Sequence, residues 1–185
     1  MRITSGILRN RRFEIPVADT RPTMESVREA MFSSLGGTFT GQCVLDLYAG
    51  SGSLGLEAWS RGAEQVAFVD NNSKIIDQIN KTISMFKNNA LGKTVVFQAD
   101  VLRWIKSHTC QYDIIFADPP YELSNAFENI LQSIQDGSVL TEQGRVVYEL
   151  RAKQKFEVPP TWKILRDKRF GKTRFLILQK EKKHE

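Results

Sequence analysis

Between Cys43 and Leu150 short apolar stretches alternate with stretches of helical spacing, and no other feature narrows the possible folds as much. The stretches Cys43–Leu47, Gln65–Val69, Thr94–Gln98, Tyr112–Ala117 and Arg145–Leu150 read as strands. Helices are expected between them. Ser53–Arg61 ends at Gly62, and a second helix is capped by Ser73 with the stripe Ile76, Ile79, Ile83 and Phe86. A short one lies around Leu102–Ile105, and another carries Phe127, Ile130, Leu131 and Ile134. Strands this short and apolar suit burial on both faces, and parallel neighbours need crossover helices. The pattern predicts a doubly wound α/β sheet. Both ends depart from it. Trp162–Arg166 and Arg174–Gln179, separated by the charged run Lys168–Lys172, predict an antiparallel hairpin. At the start, strand-like pieces around Ile3 and Phe13–Ile15 predict a small β-hairpin extension. Pro22-Thr23 then introduces a helix with Met24, Val27, Met31 and Leu35 in register and Gly36-Gly37 as its stop.

Charge divides the chain in the same places. The net charge is +5, but residues 1–28 hold six Arg against three acids and residues 151–185 hold twelve Lys or Arg against four. The middle, 29–150, holds eight bases against fourteen acids. Basic ends on an acidic body predict that the ends meet a polyanion while the body does something else. Arg2, Arg9, Arg11, Arg12 and Arg21 share a segment without a single Lys. Guanidinium groups pair bidentately with phosphate and stack on splayed bases, which suits an irregular RNA surface. Lys168, Arg169 and Lys172, placed on the expected hairpin turn, are candidates for a second wall. The tail Lys180–Lys183 reads as solvated surface charge.

Ligands of doubly wound sheets gather at the carboxyl ends of the strands. The first strand runs into Asp46-Leu47-Tyr48-Ala49-Gly50-Ser51-Gly52-Ser53-Leu54-Gly55. Gly50-x-Gly52-x-x-Gly55 fits the dinucleotide fingerprint, and Asp70 follows at the expected distance. Enzymes of NAD and of S-adenosylmethionine (SAM) share that signal, and a non-catalytic nucleotide-binding module would fit it too. Asp46 separates them, because a carboxylate four residues before Gly50 sits badly beside a pyrophosphate. It suits a cationic amino-acid moiety such as SAM carries. Ala49, Gly50 and Gly52 would line that ligand, Asp70 and Asn71 would meet its ribose hydroxyls, and Asp100 its adenine amine with Val101 against the ring. Each aspartate could equally serve as a local cap. After the fourth strand comes Asp118-Pro119-Pro120-Tyr121. Two prolines fix an extended turn and remove two donors. Asp118 and the Pro119 carbonyl can accept hydrogen bonds from an exocyclic amine, and Tyr121 can stack on its base.

With these motifs the chain resembles class I SAM-dependent methyltransferases of the Asp/Asn-Pro-Pro-Tyr group, which modify exocyclic amines. It is similar more narrowly to the bacterial 16S ribosomal RNA guanine-N2 methyltransferase family. The narrowing comes from Met1-Arg2-Ile3-Thr4-Ser5-Gly6, Thr20-Arg21-Pro22-Thr23 and Val27-Arg28-Glu29-Ala30-Met31-Phe32. The resemblance implies a seven-stranded methyltransferase sheet over residues 23–185, with residues 1–22 as a basic extension for RNA. It implies SAM as methyl donor, S-adenosylhomocysteine as product, and a guanine in small-subunit ribosomal RNA, free or in an assembly particle, as acceptor. An adenine-N6 methyltransferase shares the Asp-Pro-Pro-Tyr motif and differs in the N-terminal pieces.

Cys43, Cys110, His108 and His184 are the only cysteines and histidines, too few for a structural zinc set. Cys43, at the head of an apolar strand, reads as a small buried hydrophobe. No signal-peptide pattern opens the chain and no run is long enough to span a bilayer, so a cytoplasmic protein is expected; a metal-free monomer is expected as well.

Overall fold

The computed structural model describes residues 1–15, 24–87, 92–120, 123 and 125–181. In chain order its helices are α1 (Glu25–Ser34), α2 (Ser53–Ser60), α3 (Ser73–Phe86), α4 (Val101–Ser107) and α5 (Ala126–Asp136). Its strands are β1 (Cys43–Leu47), β2 (Gln65–Asp70), β3 (Lys93–Gln98), β4 (Tyr112–Ala117), β5 (Leu140–Arg151), β6 (Trp162–Phe170) and β7 (Thr173–Lys180). They form one sheet in the order β3-β2-β1-β4-β5-β7-β6. β1 to β5 are parallel, β7 is antiparallel to β5, and β6 is antiparallel to β7. The doubly wound sheet ending in a hairpin is therefore present.

Alternation along each strand sends successive side chains to opposite faces. Val44, Phe68, Phe116 and Phe175 pack with α1, α2, α3 and with Ile3, Leu8 and Phe13 of the N-terminal segment. Leu45, Ile115, Tyr148 and Leu176 pack with α4 and α5. The N-terminal segment thus shares a core with the sheet. At the amino edge Asp113 clamps three strands: its Oδ2 accepts from the Cys43 amide at 2.9 Å and its Oδ1 from Thr141 Oγ1 at 3.2 Å. Among the described residues no helix is long and apolar enough to cross a membrane.

Several expectations shift. β5 begins at Leu140, because the polar Thr141, Glu142 and Gln143 lie in the strand and hid its start. Lys168 and Arg169 belong to β6, and the turn narrows to Gly171-Lys172. An edge strand tolerates charge on its exposed face, so a charged run there does not mark a loop. Asn72, not Ser73, caps α3, its side chain accepting from the Lys74 amide at 3.0 Å. Met24 precedes α1 and is exposed, while Arg28 takes a buried place on that helix. The two N-terminal strand-like pieces reduce to one antiparallel bridge, Arg2 with Arg12. Cys43 is half-buried rather than buried, and its thiol is pushed up mainly by desolvation. Thr20, Arg21, Pro22, Thr23, Tyr121, Lys182, Lys183 and His184 lie outside the described residues.

Candidate active site

The strand order reverses between β1 and β4, and the crevice at their carboxyl ends is where such sheets hold ligands. Asp46 lies inside the end of β1, fully buried, with Oδ2 accepting from the Gly55 amide of α2 at 2.8 Å. Burial raises its carboxyl well above the usual range; the nearby Asp118 and Asp70 raise it further, against the Gly55 hydrogen bond. The three carboxylates come from three different strand ends, and the other two lie close enough to act on Asp46. Asp70 ends β2 and receives the Gly50 amide on Oδ2 at 3.1 Å and the Asn72 amide on Oδ1 at 2.9 Å. An ionised carboxylate has about four acceptor sites, so two remain for ligand hydroxyls. Asp100 is exposed and caps α4 by accepting from the Arg103 amide at 3.0 Å. Val101 beside it is buried, and Asn71 is exposed beyond Asp70.

The turn from β1 to α2 carries positive φ at Tyr48, Gly50 and Gly52. For tyrosine that conformation is uncommon and costs energy, and such strain gathers where a loop is shaped for a ligand. Tyr48 is half-buried, and burial, with Asp100 adding, pushes its hydroxyl up to about 12. Gly55 is needed for a different reason: a Cβ there would stand 2.2 Å from the Phe68 ring, so α2 could not close on β2. Ala49 is buried, its amide held by the Val69 carbonyl at 3.2 Å.

Asp118 leaves β4 half-buried and Pro119 is buried. The Pro120 carbonyl is taken by the Leu123 amide at 3.1 Å, while no described backbone amide closes on that of Pro119. Tyr148 of β5 stands opposite Ala117 in register, one residue before Asp118. It is buried, and desolvation raises its hydroxyl, with Tyr48, Glu128 and Asp118 adding to the shift. Neither Tyr48 nor Tyr148 was among the candidate site residues, although an aromatic near the end of a strand is the sequence signal that marks both.

The basic candidates separate. Arg9, Arg11 and Arg12 are exposed, and Arg2 pairs with Glu25. Their segment runs along α2: Ser51 Oγ reaches Met1 Sδ at 3.6 Å at one end, and the Leu8 amide meets Ser60 Oγ at 2.9 Å at the other. Arg2 and Arg12 therefore lie toward the glycine turn and Arg9 away from it. In the hairpin Arg169 faces Arg174 across the ladder and Lys168 faces Phe175, so the two candidates point to opposite faces of the sheet. Lys172 is exposed in the turn.

The fold is shared with solved methyltransferase structures. The solved structure of "Putative methyltransferase yhhF" from Escherichia coli superposes with a TM-score of 0.86 at 26% identity, covering 98% of each chain. Residues 1–179 match the family described as Conserved hypothetical protein 95, and the chain belongs to it. "Ribosomal RNA small subunit methyltransferase D" of Escherichia coli K12 is 27% identical over 187 residues, covering 100% of this chain and 92% of its own. The fold also matches the Thermus thermophilus 16S rRNA N2 G1207 methyltransferase in complex with AdoMet and guanosine, at TM-score 0.70 and 21% identity over 90% of this chain and 45% of that one.

Proposed function

We propose that the protein transfers a methyl group from SAM to the exocyclic N2 of a guanine in small-subunit ribosomal RNA. The observation that carries this reading is the meeting of Asp46, Asp70 and Asp118 at the sheet's reversal beside a strained glycine turn. Three carboxylates in one crevice repel one another and any phosphate, and an organic cation relieves them. The relatives' names supply the substrate: one is a ribosomal RNA small subunit methyltransferase.

When bound, SAM supplies a methyl group on a cationic sulfur. The residues of this chain do the rest. Asp46 keeps α2 in place through Gly55 and adds negative potential for the ligand's cationic part. Asp70 and Asp100 keep free acceptor sites for ribose hydroxyls and the adenine amine. Asp118 and the Pro119 carbonyl accept the two N–H bonds of the guanine amine, which turns its lone pair out of conjugation with the ring. As positive charge develops on that nitrogen Asp118 stabilises it, and the surplus proton leaves by the same carboxylate. Tyr121 would stack on the extruded base. Positioning and fixed charge carry such a reaction.

The test separates chemistry from cofactor binding. Asp118→Ala should lower the rate of methyl transfer to unmethylated small-subunit RNA by about a hundredfold, the loss typical of one charge-stabilising group, and weaken SAM far less, because Asp46 and Asp70 still face the cation. Loss of SAM binding with the rate would make the turn a structural element. Recovery of the label in N6-methyladenine rather than N2-methylguanine would reject the acceptor.

Asp46 gives the reading a pH dependence. Its folded-state pKa lies above the unfolded one, so stability declines as pH rises from the unfolded value through the folded one. Cation binding favours the ionised form, so SAM should bind more tightly as pH rises and release a proton on binding in that window. Calorimetry in buffers of different ionisation heat measures that proton. Asp46→Asn, which keeps an acceptor for Gly55, should abolish the release, weaken SAM and stabilise the ligand-free fold.

A further inference from the structure

The chain leaving β5 forms a groove beside this site. The Ala152 amide donates to the Lys172 carbonyl at 2.9 Å, which ties the loop after Arg151 to the β6–β7 turn. Between this loop, the hairpin and the first turn of α5 lies an open groove of about 870 Å³. Phe156 forms its floor, with the Arg174 guanidinium 4.8 Å above the ring and Phe127 packed at 5.0 Å. Asp167 fixes that guanidinium by a two-point ion pair, one arm being Nε to Oδ1 at 2.7 Å. The charge of the floor is therefore matched.

The rim is different. Lys153, Lys155 and Arg169 line the groove and are exposed. Among the described residues Lys153 and Lys155 have neither an ion-pair partner nor a side-chain hydrogen bond. Glu128 and Glu157 stand at the α5 end, where the Glu157 amide approaches Glu128 Oε1 at 3.5 Å. Charge thus runs from acidic beside α5 to basic beside the hairpin. Buried side chains join the groove floor to the strand end that carries the site: Phe127 touches Phe156 and meets Tyr148 edge-on at 4.9 Å, and Tyr148 lies opposite Ala117, one residue before Asp118.

We propose that this groove binds the RNA strand flanking the methylated nucleotide, through phosphates held by Lys153, Lys155 and Arg169. The inference rests on the reading of the protein as a ribosomal RNA methyltransferase. Unpaired lysines on the rim of a groove, on the side of the sheet where β4 and β5 end, suit a backbone that needs charge without sequence readout. The acidic end directs the strand along the hairpin side, away from α5. On this assignment the second wall of the RNA site is built mainly by the loop after β5, with Arg169 and Lys172 joining it and Lys168 facing the other side of the sheet.

The experiment measures methyl transfer by the full chain to in vitro transcribed small-subunit RNA, free and assembled into a particle. The double variant Lys153→Glu, Lys155→Glu should raise the KM for RNA about tenfold or more, leave kcat within about twofold, and flatten the salt dependence of RNA binding by up to about one unit of slope per lost contact. SAM affinity should not move. Lys153→Arg, Lys155→Arg should restore the wild-type KM. Lys81→Glu, Lys106→Glu makes the same change in net charge on α3 and α4 and should have little effect. An unchanged KM in the groove variant, or an equal rise in both acidic doubles, overturns the groove while leaving the enzyme reading in place. A wild-type protein that transfers no methyl group to either substrate overturns both.

Discussion

Residues 1–15 and the β6–β7 hairpin are both basic, but their shapes are set by opposite means. In the N-terminal segment the charges at the surface rest on a charge inside. Glu57 of α2 is completely buried and accepts from the Thr4 amide at 2.9 Å, Thr4 Oγ1 at 2.6 Å and the Ser5 amide at 3.0 Å. Arg61 binds the same carboxylate at 2.9 Å, and Arg28 approaches within 4.0 Å while donating to the Arg2 carbonyl. A Cβ on Gly6 would fall 1.9 Å from the Ser60 carbonyl oxygen, so the segment lies directly on the helix backbone. In the hairpin the backbone ladder sets the shape, and the ion pair Asp167–Arg174 sits in a half-wet setting. Charge of the same sign therefore does not mean the same dependence on charge. One basic end is held by a buried ionic hub, and the other would keep its form without any ion pair.

Removal of the hub tests that contrast most severely. Glu57→Ala leaves two arginines without their buried partner and should cost about 3–5 kcal/mol, the range for breaking a buried pair from one side. For a chain of this size thermal melting should drop by roughly 10 °C. A melting point within a degree or two of wild type would show that the segment does not depend on Glu57.

A smaller effect, on binding alone, comes from the exposed charges that the hub supports. Arg9→Gln, Arg11→Gln and Arg12→Gln together should weaken RNA binding and flatten its salt dependence by up to about one unit of slope per lost phosphate contact, with SAM affinity unmoved. Since Arg12 lies nearer the glycine turn than Arg9, restoring Arg12 should recover more than restoring Arg9. A triple variant with wild-type affinity and slope would assign RNA recognition to the hairpin side. The smallest effect belongs to Asp167→Asn, which should cost no more than about 1 kcal/mol because the pair is partly exposed. Its hydrogen bond to Arg174 holds the Asp167 carboxyl below its ordinary value. That contribution is present above the unfolded-state pKa and fades as pH falls through the folded one, so an acid titration of the wild type and the variant should converge.

The same contrast explains what could be read from sequence. β1 and β4 were legible to the residue because strands buried on both faces are nearly uninterrupted apolar runs. Asp46, Asp70 and Asp118 stood out because carboxylates at the ends of such runs are out of place. The loop Lys153–Phe156 did not, since its meaning depends on Lys172 bonding to Ala152 and on Arg174 lying over Phe156, contacts between residues distant in sequence. Arg28 and Glu57 were hidden for a related reason. Each looks like an ordinary helix-surface charge until the N-terminal segment covers it, Arg2 over Arg28 and Thr4–Ser5 over Glu57. Lys168 and Arg169 looked like a loop because composition does not distinguish an exposed edge strand from a turn.

Asp113, at the far edge from the candidate site, has a consequence for how the molecule assembles. Its bond to the Cys43 amide spans 70 residues, and β1 is central to the sheet only when β4 has arrived beside it. The β6–β7 hairpin, by contrast, closes across the turn Gly171-Lys172 and can form within microseconds. Parallel pairings between distant strands wait on chain closure and come late. Pulse-labelled hydrogen exchange during refolding should therefore protect hairpin amides before those of β1. The three acidic strand ends meet only when the β1–β4 seam closes, so the refolding chain should gain its affinity for a cationic ligand in the final step.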